Sequence, residues 1–310
     1  MSPEAARRGS RRGLQLTWLV ALFLASGPAF PSDAEPRALL AEMNEAFNSV
    51  SYDGVFTFFS GSELASLRIV HMVIEDVQHE RLIHQNGAPR EIVRVGEEVV
   101  CILMPGDELL SLEADLPAGP FARSFVRRYD AISSYYQLRF FGEDRVAGRP
   151  AIRLAVMPND ENRFGYRLWL DKETRLLLKS ELVDKSGSPL EIFQFSTIVI
   201  GEAVDPRALE PTGRNETAKV SNFTLDSQAS VPVADEVRWQ AGWLPEGFAL
   251  SSTHTRRTIG EDKLVNTLMF SDGLAAFSVF IEDMPPAGAA DMVSRNGATV
   301  AVTHLTEGPE

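Results

Sequence analysis

Apolar positions recur every second residue over much of this chain, most clearly between Phe164 and Ser196. In a first run, Phe164, Tyr166, Leu168 and Leu170 alternate with Arg163, Gly165, Arg167 and Trp169. In a second, Leu176, Leu178 and Leu182 alternate with Arg175, Lys179 and Glu181. A period of two marks strands with one buried face. Asp171-Lys172-Glu173-Thr174 and Lys185-Ser186-Gly187-Ser188-Pro189 supply turn chemistry between the runs. The stretch therefore predicts an antiparallel meander with one apolar and one charged face.

The same pattern extends in both directions. Residues 54–60, 64–74, 77–84, 90–95, 99–103 and 109–113 read as strands, with Asn86-Gly87 as a hairpin signal. Strands resume at Arg145 to Met157 and run on to Ile200. Two stretches switch to a helical period. Glu35 to Val50 carries Leu39, Leu40, Met43 and Phe47 on one face, with Pro36 in the first turn. Phe121 to Phe140 places Phe121, Phe125, Tyr129, Ile132 and Tyr136 on one stripe, with Arg123, Arg127 and Arg128 off it.

These elements predict an α+β chain. Its larger part is an antiparallel curved sheet with helices packed in the concavity, an open half-barrel whose mouth suits an apolar ligand. Residues 207–236 are rich in Ser, Thr, Asn and Ala with little periodicity, and read as a linker. A smaller mixed α/β domain follows, with Leu264 to Phe270 and Leu274 to Ile281 flanking the turn Ser271-Asp272-Gly273. The expected organisation is residues 1–34 as a leader, 35–206 as the large domain, 207–236 as linker and 237–310 as the small domain.

The leader reading rests on Arg7, Arg8, Arg11 and Arg12 followed by the apolar run Leu14 to Ala25. That run is too short to span a bilayer and has the layout of a secretory signal peptide. The mature chain is expected to be soluble in an exported compartment. Residues 1–34 hold four Arg against Glu4 and Asp33, so their loss moves the net charge from −13 to −15. Such acidity argues against general nucleic-acid binding. The single cysteine, Cys101, leaves no internal disulfide and sits in an apolar strand-like run.

Catalytic chemistry finds no residues to carry it. His79 and His84 are five apart, which separates them by roughly 140° on a helix and puts them on opposite faces of a strand. No nucleophile elbow, phosphate loop or dinucleotide fingerprint is present. No enzyme activity, cofactor or metal is expected. Two groups suit binding. Phe56, Phe58, Phe125, Tyr129, Tyr136 and Trp169 could line an apolar cavity, and Arg123, Arg127 and Arg128 could meet phosphates or carboxylates. Core packing and a solvated helix face explain the same residues without a ligand.

Several runs resemble the RseB/MucB family of periplasmic sigma-E regulators. They include Ser51-Tyr52-Asp53-Gly54, Arg68-Ile69-Val70-His71, HERLIHQNGAPREIVR from His79 to Arg94, and Val100-Cys101. Tyr135-Tyr136, RVAGR from Arg145, GYRLWLD from Gly165, LPEGF from Leu244 and SDGLAAFSVFIE from Ser271 continue the likeness into the second domain. The resemblance implies a large domain similar to the lipoprotein carriers LolA and LolB. It implies a protein that binds the periplasmic segment of a membrane-spanning anti-sigma factor and shields it from proteolysis. Lipid or lipopolysaccharide is the implied release signal. A homo-oligomer stays open. The alternative is a periplasmic lipid or lipoprotein carrier of LolA type. The resemblance also implies a final strand and helix beyond Glu310.

Overall fold

A computed structural model describes residues 34–87, 89–96, 98–103, 134–211, 219–224, 239–257, 264–282 and 291–305. Helix α1 (Ala34–Ser49) is followed by five strands: β1 (Tyr52–Ser60), β2 (Glu63–Ile74), β3 (Val77–His84), β4 (Arg90–Val95) and β5 (Glu98–Leu103). A second run holds β6 (Tyr136–Val146), β7 (Arg149–Pro158), β8 (Gly165–Asp171), β9 (Leu177–Val183) and β10 (Pro189–Ile200). A short 3-10 turn (Pro206–Leu209) precedes β11 (Lys219–Thr224). The C-terminal part contains β12 (Ala249–Arg257), β13 (Leu264–Ser271), β14 (Ala276–Glu282), β15 (Met292–Asn296) and β16 (Thr299–Thr303).

The first eleven strands form one sheet in the order β11-β5-β4-β3-β2-β1-β10-β9-β8-β7-β6. Two antiparallel meanders, β1–β5 and β6–β10, are sewn together where β1 pairs with β10. β11 extends the sheet beyond β5, so the stretch expected as linker contributes a strand. The C-terminal strands form a three-stranded sheet, β12-β13-β14, and the hairpin β15-β16.

Local chemistry explains the turns. Glu75 and Asp76 both adopt positive φ, 50° and 63°, in the two-residue link between β2 and β3. That is the left-handed pair a tight hairpin requires. At the end of β8, Asp171 Oδ1 accepts from Thr174 N–H (2.9 Å) and Thr174 Oγ (2.9 Å), while Arg149 grips the carboxylate through Nε (2.6 Å) and Nη2 (3.2 Å). Burial works to raise the Asp171 pKa, but the Arg149 guanidinium and the Thr174 donors outweigh it and hold the carboxyl below its ordinary value.

The sheet is strongly curled. Helix α1 touches both β2 and β6, which lie six strand positions apart. In a flat sheet that would be roughly 29 Å, whereas a helix is about 10 Å across. The apolar face of α1 (Leu39, Leu40, Met43, Ala46 and Phe47) is buried in one cluster with Tyr52, Phe56, Leu138, Leu154, Leu168, Leu178 and Phe195.

Two expectations need correction. The helix predicted over Phe121 to Phe140 ends in strand instead: Tyr136 to Phe140 belong to β6, and residues 121–133 lie outside the described residues. Tyr136 and Leu138 are buried while Gln137 and Arg139 are exposed, a period of two that pairing with β7 enforces. Helices in the plural are thus not found: among the described residues α1 is the single α-helix, and the chain is mostly β. The C-terminal part, expected to be mixed α/β, shows only antiparallel strands among its described residues.

Candidate functional site

Among the described residues, two buried charges and several rings meet where the C-terminal strands face the large sheet. Arg163 sits in the link between β7 and β8, and its side chain is fully buried. Asp160 shapes that link by accepting from Asn162 N–H (2.8 Å) and from Arg163 Nε (3.2 Å). Asn159 ties the link to the start of β6 through its N–H to Tyr135 C=O (2.8 Å) and its Nδ2 to Ser134 C=O (3.1 Å). The turn therefore presents Arg163, Tyr135 and Tyr136 together.

The C-terminal part supplies the complement. The turn between β13 and β14 carries Asp272, also fully buried. Its Oδ1 accepts from the N–H groups of Leu274 (2.8 Å) and Ala275 (2.7 Å), which closes the turn. Its Oδ2 accepts from Arg163 Nη1 (2.7 Å) and Tyr136 OH (3.0 Å). Arg163 Nη2 also donates to the Glu246 carbonyl in the segment leading to β12. The guanidinium carbon lies 4.7 Å from the Tyr135 ring centroid, 5.6 Å from Tyr136 and 5.1 Å from Phe248. Gly247 has φ of +85°, and a Cβ there would run into the Tyr135 ring, so only glycine allows this approach. Leu274 completes the junction by burying its side chain in the cluster of the large sheet.

This is a buried ion pair in which both Asp272 oxygens and all three guanidinium nitrogens of Arg163 have hydrogen-bond partners. Such a pair survives desolvation only when additional hydrogen bonds meet its polar atoms in this way. Burial raises the Tyr136 hydroxyl pKa, and the Asp272 carboxylate adds to the effect, so the phenol stays a donor.

A second contact joins the same two parts. The turn of β15-β16 presses Asn296 and Gly297 against Ser60 and Gly61, both glycines having positive φ. The Glu191 carboxyl accepts from Ser60 Oγ (3.1 Å) and from the Ala298 N–H. Burial raises the Glu191 pKa, with these two donors opposing it.

The residues singled out from sequence occupy different settings. Phe56 is buried on β1 with its ring 4.9 Å from Phe193 and 5.8 Å from Phe195, and Phe58 packs partly buried against the same cluster. Trp169 is buried on β8, donates from Nε1 to Asp144 (2.9 Å) and lies beneath the Lys179 ammonium (4.4 Å). With Phe141, Arg153, Arg167 and Glu181 it lines a shallow cleft. Tyr136 alone of the described candidates belongs to the Arg163 network. Phe125, Tyr129, Arg123, Arg127 and Arg128 lie outside the described residues. Sequence reasoning missed Arg163, Asp272, Glu246 and Phe248 as a unit, although Tyr135-Tyr136, LPEGF and SDGL had each been singled out as markers. Among the described residues, no cluster of three metal-ligating side chains is present.

Comparison with known proteins places the chain in a family. The profile of the MucB/RseB N-terminal domain matches residues 35–213, and that of the MucB/RseB C-terminal domain matches residues 233–309. The sigma factor AlgU regulatory protein MucB of Pseudomonas aeruginosa is 36% identical over 287 residues, covering 91% of this chain and 86% of that protein. Solved structures of MucB in complex with MucA(peri) and of the Pseudomonas aeruginosa MucA/MucB complex each superpose with a TM-score of 0.69 at 33% identity, covering 88% of this chain and 89% of theirs. A further crystal structure of MucB superposes at 0.58 with the same identity, over 84% of each chain. The matching profiles together span nearly all of the chain beyond residue 34, so the chain belongs to the MucB/RseB family.

Proposed function

We propose that this protein is a periplasmic negative regulator of an envelope-stress sigma factor. It binds the periplasmic segment of a membrane-spanning anti-sigma factor and keeps that segment from regulated proteolysis. The observation that carries this reading is the similarity, across both domains, to MucB solved with MucA(peri). The basic stretch Arg7 to Arg12 and the apolar run after it support export. No helix among the described residues is long and apolar enough to cross a membrane. Function here is binding, without a chemical step.

Lipid completes the proposal as the release signal, with lipopolysaccharide or another acyl chain loosening the complex. The proposed ligand-facing residues are Phe56, Phe58, Phe125, Tyr129, Tyr136 and Trp169 for the apolar part, and Arg123, Arg127 and Arg128 for phosphates. The test is calorimetry on residues 35–310 with the periplasmic segment of the host's anti-sigma factor, with and without lipopolysaccharide. Tight binding that lipid weakens is the expected result. Lipid uptake without binding of the segment would replace this reading with a carrier of LolA type.

A further inference from the structure

We propose that the Arg163–Asp272 pair is a reversible latch between the two domains, closed when the anti-sigma segment is held and opened when it is released. The partner's role in this inference rests on the proposed function; the latch itself does not.

Opening an all-apolar seam between the domains would expose hydrocarbon to water, at a cost that grows smoothly with the area exposed. Here the centre of the seam is charged: Arg163 and Asp272 both have fully buried side chains, and their partners Tyr136 OH and the Glu246 carbonyl are polar. Each of these groups is well solvated once the junction opens, and each demands complete hydrogen bonding while it is shut. A half-open state would leave a buried guanidinium or carboxylate unpaired. The junction therefore favours two arrangements, shut or parted, over intermediate ones. That is the two-state behaviour a binding partner can bias.

Position supports the same conclusion. Arg163 precedes β8, whereas Asp272 lies in the β13–β14 turn and Glu246 in the segment before β12. One side chain thus grips two separate parts of the C-terminal domain. Three rings, Tyr135, Tyr136 and Phe248, hold the guanidinium in place. The contact of Ser60 and Gly61 with Asn296 and Gly297 is bridged by the Glu191 carboxyl, which accepts from Ser60 Oγ and the Ala298 N–H, and among the described residues it holds no ion pair with both side chains fully buried. It is the weaker of the two joints and serves as the pivot.

The experiment uses the mature chain and the Arg163→Met and Tyr136→Phe variants. Three readouts are taken: hydrogen exchange at residues 243–248 and 271–275, the number of thermal unfolding transitions, and affinity for the anti-sigma segment. Arg163→Met is expected to speed exchange in both segments and to split unfolding into two transitions. It is also expected to weaken segment binding on the order of tenfold, within the usual range of coupling between linked sites, although the buried Arg163 cannot touch the segment. Tyr136→Phe removes one of the bonds to Asp272 and is expected to give the same changes more weakly, so it answers the question if Arg163→Met fails to fold. Unchanged exchange, transitions and affinity in Tyr136→Phe, and in Arg163→Met where it folds, would overturn the latch. Absence of segment binding by the wild-type chain would instead overturn the proposed function, and the exchange and unfolding readouts would still decide whether the domains are latched.

Discussion

At Arg163 the guanidinium has left water for the carboxylates of Asp160 and Asp272, a carbonyl and three rings. Removing one member of such a pair strands the other. Arg163→Met is therefore expected to cost about 3–5 kcal/mol of stability, read by urea denaturation followed through tryptophan fluorescence. A second buried group responds to pH. His71 is fully buried on β2, its Nδ1 bonded to the Val50 carbonyl (3.0 Å) and its ring stacked 5.0 Å from Tyr52. Glu80, itself paired with Arg94, stands 4.0 Å from Nε2. Burial lowers the His71 pKa more than Glu80 raises it. The folded pKa lies below the unfolded one, so His71 favours folding above the unfolded value of about 6.5, and that contribution is lost as pH falls through the folded pKa. Melting temperature is expected to fall between about pH 7 and pH 5, and to fall less in His71→Asn.

Among the elements, the β2–β3 hairpin stores strain that substitution can relieve. Glu75 and Asp76 occupy the left-handed region that costs a residue with a Cβ about 1 kcal/mol or more. Replacing them with Asn and Gly, the pair this turn prefers, is expected to raise stability by roughly 1 kcal/mol without moving a strand. Differential scanning calorimetry checks it. Helix α1 contributes in the opposite sense. Met43 is completely buried beneath the curled sheet, and Met43→Ala is expected to cost about 2–5 kcal/mol through lost burial and a residual cavity. A loss under 1 kcal/mol would mean that α1 docks loosely and that the sheet holds its curl without it.

For the molecule as a whole, the described residues join the two domains at separated points, one charged and one formed by facing turns. Gly247→Ala attacks the first from the C-terminal side, because the new methyl meets the Tyr135 ring and φ is +85°. It is expected to lower the melting temperature of the C-terminal strands while leaving the eleven-stranded sheet folded, as resolved by near-ultraviolet and far-ultraviolet circular dichroism. If both parts melt together at the wild-type temperature, the LPEGF turn has no part in holding the junction.

Much of this organisation is written in local periodicity. The alternation in Phe164 to Ser196 specifies β8, β9 and β10, although Trp169, Leu177 and Val183 at the alternate positions are buried as well, and Asp171-Lys172-Glu173-Thr174 specifies the turn that Arg149 grips. The stripe on residues 35–50 specifies α1. These features were legible because burial of one face imposes a repeat on neighbouring residues. Tyr136, Leu138 and Phe140 show where that logic ends. They satisfy a strand, while Phe125, Tyr129, Ile132 and Tyr136 satisfy a helix, and only hydrogen bonding to β7 settles residues 136–140 as strand. The junction lies further from reach. Arg163 and Asp272 are 109 residues apart, and each reads locally as a solvated polar position beside a strand. Burial of a charge has no periodic signature, since it depends on a partner brought in from elsewhere in the chain. The sequence by itself determined most of the strands and the stripe that α1 buries. The tertiary structure alone decided that β1 closes against β10, that residues 136–140 and 219–224 join the sheet as strand, and that two opposite charges meet where the domains join.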